Sequence, residues 1–400
     1  MTKVNTKKYI ISEIIEDIQS GVSVNSTNLK CKNNENGVLK TGCVKNGVFI
    51  PSENKKILEE DFHRAKLNPI NNSIILNRSN TQELVGMVGY VDKDYPNLFL
   101  SDKLWLIKVN ENIVDTEYFA YLLSTPKYSK KISDHATGTS ASMKNISRTD
   151  FESLEVQLPP LNVQKNLKNF ISILSRRIQI QQQNIETLNM QKKGYMQKVF
   201  SKELRFKDTN GKEFEKWEKY TLKEVLTEFV QKTKENNEFP VISSTNKGLM
   251  LQSEYFNRQV ASENNTGYKI LKKYQVVLSP QNLWLGNINY NSKYDIGIVS
   301  PSYKIFDINE QFDKSYIAYA LVTPEMFYNY KISSEQGASI VRRNLNLDMF
   351  YEICFEIPCF EEQKTISSFL EKFDKKINFA EEKLFNLQVQ KQAFMQQIFI

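Results

Sequence analysis

Cysteine and histidine are scarce in this chain, with four and two copies in 400 residues. Cys31, Cys43, Cys354 and Cys359 form no Cys-x-x-Cys pair, and His63 and His135 lie far from them. A disulfide framework is therefore not the design, and no metal site is expected. The pattern suits four reduced thiols in an intracellular protein. No stretch approaches the roughly 20 apolar residues of a membrane helix. The opening MTKVNTKKY is polar with no apolar run behind it, so no secretory signal is expected. Proline and glycine are missing from two long stretches. After Pro160 there is no proline and one glycine, Gly194, as far as Phe200, and after Pro358 there is neither to the end.

Apolar residues and charge are both present in ordinary amounts. Hydrophobic residues make up 40% and aromatics 12%, enough to build cores and to exclude global disorder. The net charge of +7 and pI near 8.9 suit a polyanionic partner without demanding one. The length suggests about two to four domains.

The dominant feature is repetition. Gly138 to Phe200 returns as Gly337 to Phe399 at a constant offset of 199 residues, mapping Asn145 on Asn344, Phe151 on Phe350, Pro159 on Pro358, Gln164 on Gln363 and Met196 on Met395. The molecule is thus two similar units in tandem. A chain that is two-fold in its own sequence suits a two-fold ligand, and duplex nucleic acid is the commonest large one.

The proline-free stretches carry an a/d seam. Its first copy is Leu167, Ile171, Leu174, Ile178, Gln181, Ile185, Leu188, Lys192, Tyr195 and Val199. The second is Ile366, Leu370, Phe373, Ile377, Ala380, Leu384, Leu387, Lys391, Phe394 and Ile398. This spacing predicts two helices of about 40 residues, each about 60 Å long. Burying a Leu or Ile contributes on the order of 1.5–3 kcal/mol, so the stripes should pair. A parallel pair would set Lys192 against Lys391 in an apolar layer, so an antiparallel coiled coil is expected. Such a pair would place two globular domains at opposite ends of a rod, related by a pseudo-two-fold axis.

The remaining segments predict an α+β body in each half. Ser73–Leu76, Leu104–Ile107 and Gln275–Leu278 are apolar, β-branched runs bounded by turn residues, and are expected as strands. Thr116–Ser124 and its echo Lys314–Val322 are expected as helices that end at Thr125-Pro126 and Thr323-Pro324. The expected division is a first domain at 1–160, a helix at 161–200, a polar linker at 201–216, a second domain at 217–359 and a second helix at 360–400.

This layout resembles the specificity subunit of type I restriction–modification systems. The resemblance is carried by the junction Leu158-Pro159-Pro160-Leu161 to Gln164-Lys165, by its copy Ile357-Pro358 to Glu362-Gln363-Lys364, by the linker RFKDTNGKEFEKWEKYTLKEV, and by the Gly-Thr-Ser and Gly-Ala-Ser segments before each junction. The second copy departs at Cys359 and Phe360, which touches only the local start of that helix. The resemblance implies two target-recognition domains, each reading one half of a split site in double-stranded DNA, with the helical rod setting the spacer. It further implies two docked methyltransferase subunits that modify adenine at N6, additional restriction subunits, and a prokaryotic, cytoplasmic setting. S-adenosylmethionine, ATP and Mg are then expected on the partner subunits, with no cofactor in this chain.

Base edges in the major groove are read by Arg or Lys at guanine and by Asn or Gln at adenine. Polar loops after buried strands are the natural carriers: Asn77, Arg78, Ser79, Asn80 and Gln82 after the first, Gln281 and Asn282 after its counterpart. Each loop leads into a glycine-bearing apolar segment, at Gly86 and Gly286. The segment Gly138 to Asn145, with Lys144 and Asn145, and its echo Gly337 to Asn344, with Arg342, Arg343 and Asn344, combine small residues with cations suited to phosphates. These positions equally suit ordinary hairpins and turns. Trp105, Trp217 and Trp284 are expected in cores. Arg176-Arg177 and Lys375-Lys376 flank the seam and are expected to face solvent or a partner.

No catalytic constellation is evident. There is no Asn-Pro-Pro-aromatic motif, the nearest string being Asn68-Pro69-Ile70-Asn71, and no glycine-rich loop for S-adenosylmethionine or ATP. Glu362-Gln363-Lys364 superficially fits a nuclease element but opens a helix. Two other readings stay open: the specificity subunit of a two-component enzyme cutting on both sides of its site, and a coiled-coil scaffold that binds no DNA.

Overall fold

The computed structural model describes residues 5–32, 34–140, 143–246, 248–252, 264–336 and 343–398. The chain forms two compact units, residues 1–182 with 382–400, and residues 183–381. Among the described residues no helix is long and apolar enough to cross a membrane.

In the first unit a six-stranded sheet is built from β1 (Ile15–Ser20), β2 (Val44–Lys45), β3 (Gly47–Phe49), β4 (Ser73–Asn77), β6 (Val88–Val91) and β7 (Leu104–Val109), in the order β1-β7-β4-β6-β3-β2. The short strand β5 (Ser79–Asn80) lies outside it. Ile74, Ile75 and Leu76 are fully buried, which is why this run is apolar without alternation. Helices α1 (Thr116–Leu123) and α2 (Pro126–His135) follow, the first capped by the Asp115 carboxylate. Then come β8 (Thr137–Ser140) and β9 (Met143–Asn145).

The second unit repeats the plan. Strands β10 (Leu226–Phe229), β11 (Val276–Leu278), β12 (Ile288–Tyr290) and β13 (Lys304–Ile308) form a sheet in the order β10-β13-β11-β12. That is the order β1-β7-β4-β6 again, so the duplication reaches into the globular bodies, where sequence similarity fades. A helix pair (Lys314–Ala320 and Pro324–Ile332) and a hairpin of β14 (Ser334–Gln336) and β15 (Arg343–Leu345) occupy the places of α1, α2, β8 and β9.

At both Thr-Pro steps the first helix ends as expected, but the proline then opens a second helix at its first position. There its missing N–H costs nothing and its fixed φ is already helical.

The long helices are α3 (Leu161–Phe200) and α4 (Phe360–Ile398). The departure at Cys359 does not shift the start. The Pro160 carbonyl accepts from the Gln164 amide, and the Cys359 carbonyl accepts from the Gln363 amide, each at 3.0 Å. The helices pair antiparallel within each unit. In the first, Phe170 packs on Phe394 (ring centroids 4.6 Å apart). In the second, Tyr195 packs on Phe369 and Phe373 (5.2 and 5.4 Å). Ile171, Leu174, Ile366, Leu370, Ile377 and Leu387 are buried, while Leu167, Ile178, Ile185, Leu188, Phe373 and Leu384 are half-buried. The two seam lysines sit in separate pairs. Lys192 bonds Asp374 at 2.5 Å, and Lys391 lies 5.7 Å from the Tyr121 ring centroid. Arg176, Arg177, Lys375 and Lys376 are exposed.

The linker is not a loose tether. Arg205 donates from Nε and Nη2 to the two carboxylate oxygens of Glu362, at 2.8 and 2.9 Å, and the Trp217 indole N–H adds a bond at 3.1 Å. Glu362 is fully buried and serves this anchor.

Candidate nucleic-acid interface

The two polar segments singled out in the first unit meet in space. Strand β5 pairs with β9, aligning Asn80 with Lys144 and Ser79 with Asn145, and β9 pairs with β8. The result is a three-stranded ridge. Its connection back to β6 depends on Gly86, which holds a φ of +80° while donating to the Asn77 carbonyl at 2.7 Å. A β-carbon there would fall 2.4 Å from Ile132, so no larger residue fits without moving that side chain.

The ridge divides its candidates. Asn77 and Ser79 are buried, and Asn77 donates to the Thr41 carbonyl (3.2 Å), so both serve the fold in this conformation. Arg78, Asn80, Lys144 and Asn145 are half-buried and Gln82 is exposed. The Asn80 side chain accepts from the Thr81 amide (2.8 Å), and the Lys144 ammonium reaches the Gly138 carbonyl (3.4 Å). Arg78 differs from these. Its guanidinium lies 5.6 Å from the centroid of Trp105, and its Nε is buried with no hydrogen-bond partner among the described residues. The adjacent Asn77 Oδ1 is likewise buried with no partner among the described residues. Trp105 is buried as expected and is also the platform beneath Arg78.

In the second unit the corresponding segments also meet. The Arg343 amide donates to the Gln281 carbonyl at 3.3 Å. Gln281 and Asn344 are exposed, and Asn282 is half-buried. Arg343 folds back on its own hairpin, its Nε on the Ser334 hydroxyl at 2.8 Å and its Nη2 on the Ser334 carbonyl. Arg342 lies outside the described residues. Trp284 is half-buried, and its indole N–H has no partner among the described residues.

One polar cluster escaped the sequence reading. Asn287 exchanges bonds with Ser244, its Oδ1 accepting from the hydroxyl (2.7 Å) and its Nδ2 donating to the carbonyl (3.0 Å), while Asn289 donates to the Thr245 carbonyl (2.8 Å). The signal was available: Asn287, Asn289 and Asn291 recur at period two, one face of a strand.

Such a ridge has the chemistry of a polar ligand surface, with amides, hydroxyls and guanidinium groups held by paired backbone and supported by apolar strands. Together with the fold, it defines a class: an internally duplicated tandem of α+β modules, each braced by both long helices and each presenting polar loops beside its sheet. The chain belongs to the type I restriction modification DNA specificity domain family, whose model matches residues 4–190 and again 214–388. It is 30% identical over 146 residues to the putative type I restriction enzyme MjaX specificity subunit of Methanocaldococcus jannaschii, covering 36% of this chain and 34% of that protein. It is 25% identical over 181 residues to the type I restriction enzyme EcoEI specificity subunit of Escherichia coli, covering 43% and 30%. The chain thus spans about a third of the length of the curated relatives it matches. The fold resembles that of a type I restriction–modification system S subunit from M. genitalium, with a TM-score of 0.59 at 17% identity over 100% of this chain and 97% of that one. A chain from a structural study of type I restriction–modification complex assembly and conformational transition gives 0.56 at 13%, over 100% and 99%.

Proposed function

We propose that this chain is the DNA sequence-recognition subunit of a type I restriction–modification complex and performs no chemistry itself. Each unit reads one half of a split duplex site through its polar ridge, and the paired helices set the unread spacing between halves. Two methyltransferase subunits dock on the chain and methylate adenine at N6 with S-adenosylmethionine, and restriction subunits join with ATP and Mg. The observation that carries this reading is that two separately placed polar segments converge beside the same sheet position in both units. Similar reading surfaces in two copies suit the two oppositely running strands of duplex DNA. The candidate contacts are Arg78, Asn80, Gln82, Lys144 and Asn145 in the first unit, and Gln281, Asn282, Arg342, Arg343 and Asn344 in the second.

Mapping methylated adenines genome-wide in cells with and without this chain tests the proposal. A bipartite motif present only with the chain is expected. A duplex shift assay with the partner methyltransferase, against random-sequence competitor, should show site preference. Its absence favours a scaffold instead.

A further inference from the structure

We infer that Arg78 reads a guanine in the half-site served by the first unit, while the second unit reads its half with no guanidinium at the matching position. This rests on the DNA-recognition reading above and adds a base and a residue to it.

The match between units is set by backbone bonds. The Asn77 amide donates to the Met87 carbonyl (2.8 Å) just past Gly86, and the Ser279 amide donates to the Asn287 carbonyl (3.0 Å) just past Gly286. Asn77 and Ser279 are therefore equivalent, and Arg78 corresponds to Pro280. Proline has no side-chain donor, so the second ridge presents the amides of Gln281 and Asn282 instead.

The other arginines in the globular bodies with described partners are committed: Arg64 to Asp61, Arg148 to Glu152, Arg205 to Glu362 and Arg343 to Ser334. Arg78 has no ion pair or side-chain hydrogen bond among the described residues, although its Nε is buried. A buried donor left unpaired is a cost with no structural return, and such groups are rare enough to call for a ligand. Trp105 lies on one side of the guanidinium, 5.6 Å from it to the ring centroid, and a guanidinium is a planar fork whose two donors match O6 and N7 of guanine. A phosphate could also accept from that fork. The two differ in what they read: a phosphate contact acts on every duplex alike and with salt, a base contact on one sequence.

The test uses the full chain assembled with its methyltransferase subunits. The recognition motif is first mapped for wild type, Arg78→Gln and Arg78→Lys. Binding is then measured on the mapped duplex with 7-deazaguanine replacing each guanine in turn. One guanine in one half-site is expected whose replacement weakens wild type on the order of 10- to 100-fold and leaves Arg78→Gln unchanged. Arg78→Lys keeps the charge, so it should keep general affinity but lose most of that discrimination. Circular dichroism and the thermal midpoint establish that the variants fold. If Arg78→Gln does not fold, the analogue series on wild type and Arg78→Lys decides. The inference is overturned if no guanine in either half shows this sensitivity, or if replacement acts equally on wild type and variant. It is also overturned if Arg78→Gln weakens specific and random duplexes alike with a shallower salt dependence, which marks a phosphate contact. Wild type showing no preference for any duplex over random DNA would instead sink the recognition reading itself.

Discussion

Gln164 and Gln363 hold the same place in the two copies, and their bonds explain why each junction carries glutamine. The Gln164 carboxamide accepts from the Asp115 amide (2.9 Å) and donates to the carbonyls of Pro159 (2.8 Å) and Ile113 (3.2 Å). Gln363 accepts from the Asp313 amide and donates to the Pro358 carbonyl, both at 2.8 Å. Each therefore ties the first turn of a long helix to the cap of a domain helix. Gln164→Ala would leave a buried amide and carbonyls unpaired, a loss of about 2–3 kcal/mol in urea unfolding. Gln164→Glu should be nearly as harmful, because an ionised carboxylate cannot donate to the two carbonyls. Equal stability of wild type and the Glu variant would show that donation does not matter. Lys391 offers a test of opposite sign. Burial holds its ammonium below the ordinary lysine range. The unfolded chain thus binds that proton more tightly, and the penalty to folding is full at neutral pH. It fades as pH rises through the folded value toward the ordinary one. Lys391→Met should raise the urea midpoint at pH 7, and the gain should shrink at alkaline pH.

Among the elements, the linker shows most sharply what a sequence hides. Arg205 lies in a run of charged and turn-forming residues that resembles solvated chain, yet its partner Glu362 is fully buried 157 positions away. Arg205→Ala would strand that carboxylate, costing about 3–5 kcal/mol by thermal or guanidinium unfolding. Arg205→Met combined with Glu362→Leu removes both charges and keeps the volume, so it should recover much of the loss. If the double variant is no better than the single, the desolvated charge is not the cause. The same contrast runs through the fold. Helices α3 and α4 were legible because a seam with alternating three- and four-residue steps is a local pattern. Strands β4 and β7 were legible because Ile74–Leu76 and Leu104–Ile107 are apolar on both faces. The pairing of β5 with β9 was not, since it joins residues more than 60 positions apart through backbone bonds that leave no trace in side-chain periodicity. The Arg78–Trp105 contact was not legible either, since it joins side chains of two separate segments. Asn77 and Ser79 looked like loop residues because polarity alone does not separate a buried strand end from an exposed tip. At both Thr-Pro steps, proline was read as a stop where it also serves as a start.

At the scale of the whole molecule, the last turns of the chain complete its first unit. Residues 382–400 belong with 1–182. There Leu387 is buried, Met395 packs against the first unit's core, and Phe394 covers Phe170. A chain ending at Glu381 loses these contacts together with Leu384. Full burial of a large apolar side chain contributes roughly 1.5–3 kcal/mol; Leu387 supplies that and the partly exposed Leu384, Phe394 and Met395 less, which is still a sizeable share of the roughly 5–15 kcal/mol that holds a typical domain folded. The truncation should therefore loosen a region that lies some 200 residues upstream of the cut. Hydrogen exchange is expected to speed up across Thr116–Leu123 and the Leu167–Leu174 stretch of α3. Protection should persist across Ile366–Ile377, which packs within the second unit. Adding residues 382–400 back as a separate peptide should restore protection in the first region alone. If the truncated chain keeps full protection there, the closing turns of α4 are dispensable to the first unit, and each unit is stabilised by its own half of the sequence.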